Sequence, residues 1–310
     1  MSINRNRQTD AGEPKESGFV YQMITKRILQ EMMKGQIPWR KTWTARGGRH
    51  PFTNYVTGKP YSFLNTMLLG EPGEYLTMNQ IKDRGGHLRK GSKGRFVIYW
   101  GEYVPKSRKK EEKRLLEEGK DTSHLKVRFP KYYYVYNAKD TEGLKPRSDA
   151  PAPMVAAEDP TDIADMIVRG YVADTGVNLR GDQSGEPAYD PATDTVAMPP
   201  KEEFTYEEDF YASLLQQLVH STATDHRCNR KKDYGKMLSD EMTVREELTA
   251  EIGSSMVLSV AGMNRRETHE QIAAECQRWI DAFNNDYRLI VNASSGAEKA
   301  AKYILGKFAA

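Results

Sequence analysis

The sequence predicts an α+β chain of two domains. An N-terminal α/β domain spans residues 18–148 and a mostly helical one spans 161–310, with a disordered polar tail at 1–17 and a linker at 149–160. Three observations lead there. The 310 residues are more than a single core usually serves. Charge divides along the same line: residues 1–150 hold 30 Lys+Arg against 16 Asp+Glu, net +14, and residues 151–310 hold 16 against 27, net −11. The third is a segment rich in Pro, Ala and Asp, 146–160, that lies between the basic and acidic halves. A basic domain joined to an acidic one suggests that the first meets a polyanion while the second has another task.

Taken in order, the tail MSINRNRQTDAGEPKES is polar and lacks the apolar core of a secretion signal, so a cytoplasmic location is expected. From Gly18, the residues Val20, Ile24, Ile28, Leu29 and Met32 recur at helical steps, and Gly35 and Pro38 end the helix. A loop with Trp39 and Trp43 follows, then expected helices over 61–69 and 77–84. The run Phe96–Trp100 reads as a buried strand and pairs with 132–136. The charge-dense 106–128 stretch between them reads as a solvated insertion or helical hairpin. The Pro-, Ala- and Asp-rich segment 146–160 divides the halves.

In the second half, a helix over 163–172 and a short strand at 194–198 (DTVAM) precede a helix from Thr205, where Thr205 and Glu208 have the spacing of a capping box. Further helices are expected over 243–260 and 298–308. No run of about 18 apolar residues exists to span a membrane. Cys228 and Cys276 lie far apart with no CxxC spacing, against both a disulfide framework and a cysteine zinc site.

Aromatic side chains recur beside cations in the first half: Trp39, Arg40 and Lys41 with Trp43; Lys59 with Tyr61; Arg89 and Lys90 with Lys93 and Arg95; and Lys131 with the tyrosines after it. Flat rings stack on unpaired bases while Lys and Arg follow phosphates, so the combination points to single-stranded nucleic acid. In the second half, Gln216-Gln217-Leu218-Val219-His220 occupies a helix where a zinc peptidase would carry H-E-x-x-H. Only the second imidazole, His220, is present. Gln216 offers an amide, a poor zinc ligand, and Gln217, at the position of the general base, cannot take a proton near neutral pH. Downstream, Glu247 and Glu251 share a helical face, as the third ligand and orienting carboxylate of such peptidases do. His226 has the spacing of a third histidine, but the turn glycine of that pattern is Ala223.

The motifs YQMITKRILQEMMKGQIPWRKTW, NYVTGKPYSFLN, LTMNQIKDRGGHLRKGSKG and YYVYNAKDTEG resemble the N-terminal domain of the ArdC-type antirestriction proteins of conjugative plasmids and transposons. YDPATDTVAMP, QQLVHSTA, EELTAEIGSSM and SSGAEKAAKYIL are similar to that family's zincin-like metallopeptidase domain. The resemblance implies single-stranded DNA binding followed by a zincin-like fold, in the service of protecting incoming DNA from restriction. The family's H-E-L-x-H is broken at Gln216 and Gln217, so zinc is expected to be weakly held or absent and hydrolysis impaired. The resemblance also makes DTVAM the edge strand that aligns an extended substrate, so a protein or peptide partner at that groove is implied. Two other readings stand beside the binding protein: an active peptidase recruited to DNA with the altered ligands Gln216, His220 and Glu247, and a nickase, for which the basic half lacks a Tyr or His-hydrophobe-His cluster.

Overall fold

The computed structural model describes residues 15–40, 50–144, 159–182, 184–230 and 240–309. Lys41, Trp43, most of the expected tail and most of the expected linker lie outside them. Helix α1 (Lys15–Met32) begins inside the expected tail and buries Val20, Ile24, Ile28 and Met32. A 3-10 turn, Pro38–Arg40, follows. The remaining elements of this half are β1 (Phe52–Asn54), α2 (Phe63–Leu69), β2 (Gly73–Leu76), α3 (Met78–Lys82), β3 (His87–Leu88), β4 (Arg95–Tyr103), α4 (Lys109–Glu117), β5 (Val127–Asn137) and β6 (Thr141–Glu142).

The main sheet has the order β1-β2-β5-β4, with β1 parallel to β2 and the rest antiparallel. Strands β4 and β5 run well past the expected pentapeptides and form a long ribbon that pairs Arg95 with Val135 at one end and Tyr103 with Val127 at the other. The exposed edge of β4 would invite pairing with another chain. Asn65 of α2 closes it locally by donating to the Ile98 carbonyl (2.9 Å) and accepting from the Ile98 amide (2.8 Å). The charge-dense stretch folds as α4 between 3-10 turns, with Leu115, Val104 and Leu125 as a small core of its own.

The second half comprises α5 (Pro160–Thr175), β7 (Asn178–Arg180), β8 (Ala188–Asp190), β9 (Thr195–Ala197), α6 (Glu207–Ser221), α7 (Asp240–Ala261), α8 (His269–Asn285) and α9 (Leu289–Leu305). Two expectations change here. Helix α6 starts at Glu207 with Tyr206 as N-cap and no capping side chain, which puts Glu208 at the second helical position instead of the third that a capping box needs; its carboxylate accepts from Arg266 (3.1 Å). In the sheet order β7-β9-β8, the DTVAM strand β9 is central. Its backbone groups are paired on both sides, so it is not the edge on which an extended peptide could add.

The halves share a core. One cluster is formed by α5, α6, α7 and α9. Another joins Val20, Ile24, Ile28 and Trp39 and the α2 residues Leu64, Met67 and Leu68 to Leu248 and Ile252 of α7, Trp279 and Phe283 of α8, and Ile290 of α9. The Thr25 hydroxyl donates to the Tyr287 carbonyl across the same boundary (2.6 Å).

Candidate functional site

His220 sits near the end of α6, one turn beyond Gln216, on the side that α7 covers. The two helices approach closely because Gly253 has no side chain: a Cβ there would lie 3.0 Å from the Val219 Cγ2. This brings the first turns of α7 to the imidazole. Nδ1 of His220 is 3.4 Å from the Glu246 carboxylate, and Nε2 is 3.8 Å from that of Glu247. Glu246, 3% exposed, is also gripped by Arg230, whose Nε and Nη2 donate to its two oxygens (3.0 and 2.9 Å). Burial pushes the Glu246 carboxyl up, but the bonds from His220 and Arg230 outweigh it and hold the group below the usual carboxylate range.

The sequence pairing of Glu247 with Glu251 is therefore corrected. Glu251 lies a turn farther along, and its hydrogen bonds are spent on the boundary between the halves. It accepts from the Trp39 indole (2.8 Å), the Trp279 indole (2.9 Å) and Arg40 Nη2 (2.8 Å), which makes it the polar centre of the boundary between the halves. Glu246, which sequence reasoning passed over, takes the orienting position instead. His226 is exposed on the loop after α6, where Arg227 fastens that loop to Asp194 (2.6 Å).

The residues present do not fit a zincin metal ion. Such a site needs three protein ligands and an open position. Here Gln216 presents an amide oxygen that already accepts from Arg265 Nη2 (3.3 Å), and Arg230 occupies both oxygens of Glu246. Among the described residues, His220 and Glu247 are what remains. Among the described residues no three His, Cys, Asp or Glu side chains gather as a ligand set. The half-buried Gln217 adds a carboxamide where water activation needs a carboxylate.

In the basic half the structure divides the expected nucleic-acid residues. Trp39 is 1% exposed and packs edge-on against Trp279 and Phe283, so no base can stack on it. Arg40 is enclosed by Glu251, Glu267 and Glu275. Burial alone would lower its pKa, but those three carboxylates raise it. Arg95 is held by Glu71 (2.9 Å) and the Leu69 carbonyl. Tyr61 is half-buried edge-on against Tyr75, and burial pushes its phenol up to about 12. Lys59, Arg89, Lys90 and Lys93 are exposed.

Among the described residues of this half, the exposed rings are Phe19 of α1 and those on the β4–β5 ribbon. Cross-strand register puts Trp100, Tyr132 and Tyr134 on one face, 37%, 39% and 51% exposed. Arg128 lies over the Trp100 ring (5.4 Å), and Phe19 of α1 approaches Tyr132 (6.4 Å). Tyr99 is exposed on the opposite face, with Lys131 over it (6.0 Å). From Tyr134 to Arg128 the row extends about 20 Å, at ~3.3 Å per residue. The signal was in the sequence as Lys131 and the tyrosines after it. Which of those rings face water required the register and the extra length of the strands.

Residues 19–136 match the N-terminal domain of anti-restriction factor ArdC, and residues 167–296 match a zincin-like metallopeptidase domain. The chain is similar to the crystal structure of the antirestriction protein ArdC from the R388 plasmid in a metal-free form, with TM-score 0.65, 29% identity, and 94% of this chain and 98% of that one covered. A Mn(II)-bound form of that protein matches with the same score at 28% identity. Among curated proteins, a DNA primase TraC of Escherichia coli is 27% identical over 92% of this chain, and an uncharacterized protein y4eC of Sinorhizobium fredii is 25% identical over 94% of this chain and 93% of its own length. The chain spans 27% of the length of that primase. No described helix is long and apolar enough to cross a membrane. With an ArdC N-terminal domain followed by a zincin-like domain in one continuous structural match, the chain belongs to the ArdC-type antirestriction proteins.

Proposed function

We propose that this chain binds single-stranded DNA through the β4–β5 ribbon, protects incoming DNA from restriction, and carries a zincin-like half that does not hydrolyse peptides. The exposed row Trp100, Tyr132 and Tyr134 with Arg128 beside it is the observation that carries the reading. A sheet face of stacking rings and cations accepts unpaired bases and has no way to reach those of a duplex. The loss of hydrolysis rests on Gln217, a carboxamide in the place of a general base, and on the two-donor remainder at His220 and Glu247.

The test uses the whole chain, because the N-terminal half shares its core with α7, α8 and α9. Fluorescence anisotropy with labelled oligonucleotides is expected to show tighter binding to single strands than to duplex. Tyr132→Ala and Tyr134→Ala should each weaken it by roughly tenfold, at about 1–3 kcal/mol per stacked base. Equal affinity for duplex, or alanine variants that bind as well as the parent, would sink the assignment.

A further inference from the structure

Arg265 stands in the loop between α7 and α8, half-buried, and reaches the first-ligand position of the broken metal motif. Its Nη2 donates to the Gln216 amide oxygen at 3.3 Å. Gln216 and His220 are one helical turn apart on one face, so a guanidinium fastened to Gln216 stands within a turn of the imidazole. We propose that Arg265 supplies, as a permanent guanidinium, the positive charge that a divalent ion supplies in zincin-like centres, and that it excludes such an ion from this site.

The chemistry of the side chains here supports that assignment. An imidazole at 216 acting as a ligand would turn its lone pair to the metal and remove the acceptor that Arg265 has in Gln216; an amide oxygen accepts a guanidinium well and coordinates a borderline ion poorly. Charges are already in place: Glu246 and Glu247 face His220, with Arg230 on the first, and Arg265 is fastened to Gln216 one turn away. A dication would enter beside an arginine that cannot be deprotonated, where partial burial weakens screening of the repulsion. The glutamine and the arginine thus act as a pair, and replacing the glutamine by histidine alone does not rebuild the metal centre.

This proposal rests on the reading of the zincin-like half as non-hydrolytic, and the experiment separates the two. Mn(II) and Zn(II) affinity and stoichiometry are measured by calorimetry and elemental analysis on the parent, on Gln216→His with Gln217→Glu, and on that double variant with Arg265→Met added. The parent is expected to hold less than a tenth of an equivalent, and the triple variant to bind at least tenfold more tightly than the double. A further triple variant with Arg265→Lys keeps the charge and should bind as weakly as the double, which tests charge rather than shape even if the Met variant folds poorly. Equal affinity of the double and triple variants overturns the role of Arg265 while leaving the non-hydrolytic reading intact. A parent that carries one tightly bound ion and cleaves peptide overturns both.

Discussion

Glu246 and Glu251 lie five residues apart on α7, are 3% and 4% exposed, and each accepts from an arginine. Their partners belong to different regions. Glu246 is served by Arg230 and His220, both from the loop and helix beside it, and is a feature internal to the zincin-like half. Glu251 is served by Trp39 and Arg40 from the N-terminal half and by Trp279 from α8. The helix that orients His220 is therefore also the helix on which the basic half is seated. Cation-and-aromatic pairs show the same contrast. Trp39 with Arg40 is consumed in this boundary, whereas Trp100 with Arg128 is left facing water.

The largest effect should come from breaking the boundary. Glu251→Ala strips two indole donors and Arg40 of a shared buried acceptor, and the loss is expected to cost about 3–5 kcal/mol, read from the urea midpoint. Glu251→Gln keeps one acceptor oxygen and should cost less. If Glu251→Ala unfolds within about 0.5 kcal/mol of the parent, the boundary is not held by this carboxylate.

Glu246 offers a second comparison, through pH. Its folded carboxyl is held below the reference of 4.5, so its contribution is fully present above that pH and is lost as pH falls through the lowered folded value. Glu275, in the Glu251 cluster, is shifted the other way: burial and then the neighbouring Glu251 raise it, so its charging opposes stability as pH climbs. Glu246→Gln should cost about 2–3 kcal/mol near neutrality, by removing a charged partner of buried Arg230, and should flatten the acid limb of melting temperature against pH. Parallel acid limbs for parent and variant would assign that limb to other carboxylates.

Much of the frame was legible in the sequence because periodicity reports burial directly: α1 buries Val20, Ile24, Ile28 and Met32 as its spacing requires. Helix α8 escaped, although Thr268 and Gln271 form a capping box and Ile272, Cys276, Trp279 and Phe283 make its stripe. The capping box read at Thr205 and Glu208 is absent because the helix starts one residue later, with Tyr206 as N-cap, and Glu208 pairs with Arg266 instead. The Glu247 and Glu251 pairing failed for a related reason. Helical spacing gives a shared face, but which neighbour meets each turn of that face depends on how α1, α6 and α8 cross α7. Trp39 and Trp100 are both tryptophans next to chain cations or across from them, and only tertiary packing separates the buried ring from the exposed one.

That last pair supplies the smallest expected effect. Removing Arg128 by Arg128→Ala takes away an exposed cation over the Trp100 ring, a contact worth about 0.5–1 kcal/mol, so the fold should be nearly undisturbed. If Arg128 follows a phosphate of a bound single strand, the slope of log affinity against log salt should become shallower by about 0.7, the value for one lost contact. Arg40 is the control. Its guanidinium is enclosed by Glu251, Glu267 and Glu275, so Arg40→Met should lower the melting temperature strongly while the protein that remains folded keeps the parent's salt slope. Should Arg40→Met change the slope and Arg128→Ala leave it untouched, the strand runs along the boundary between the halves and the ribbon is bystander surface.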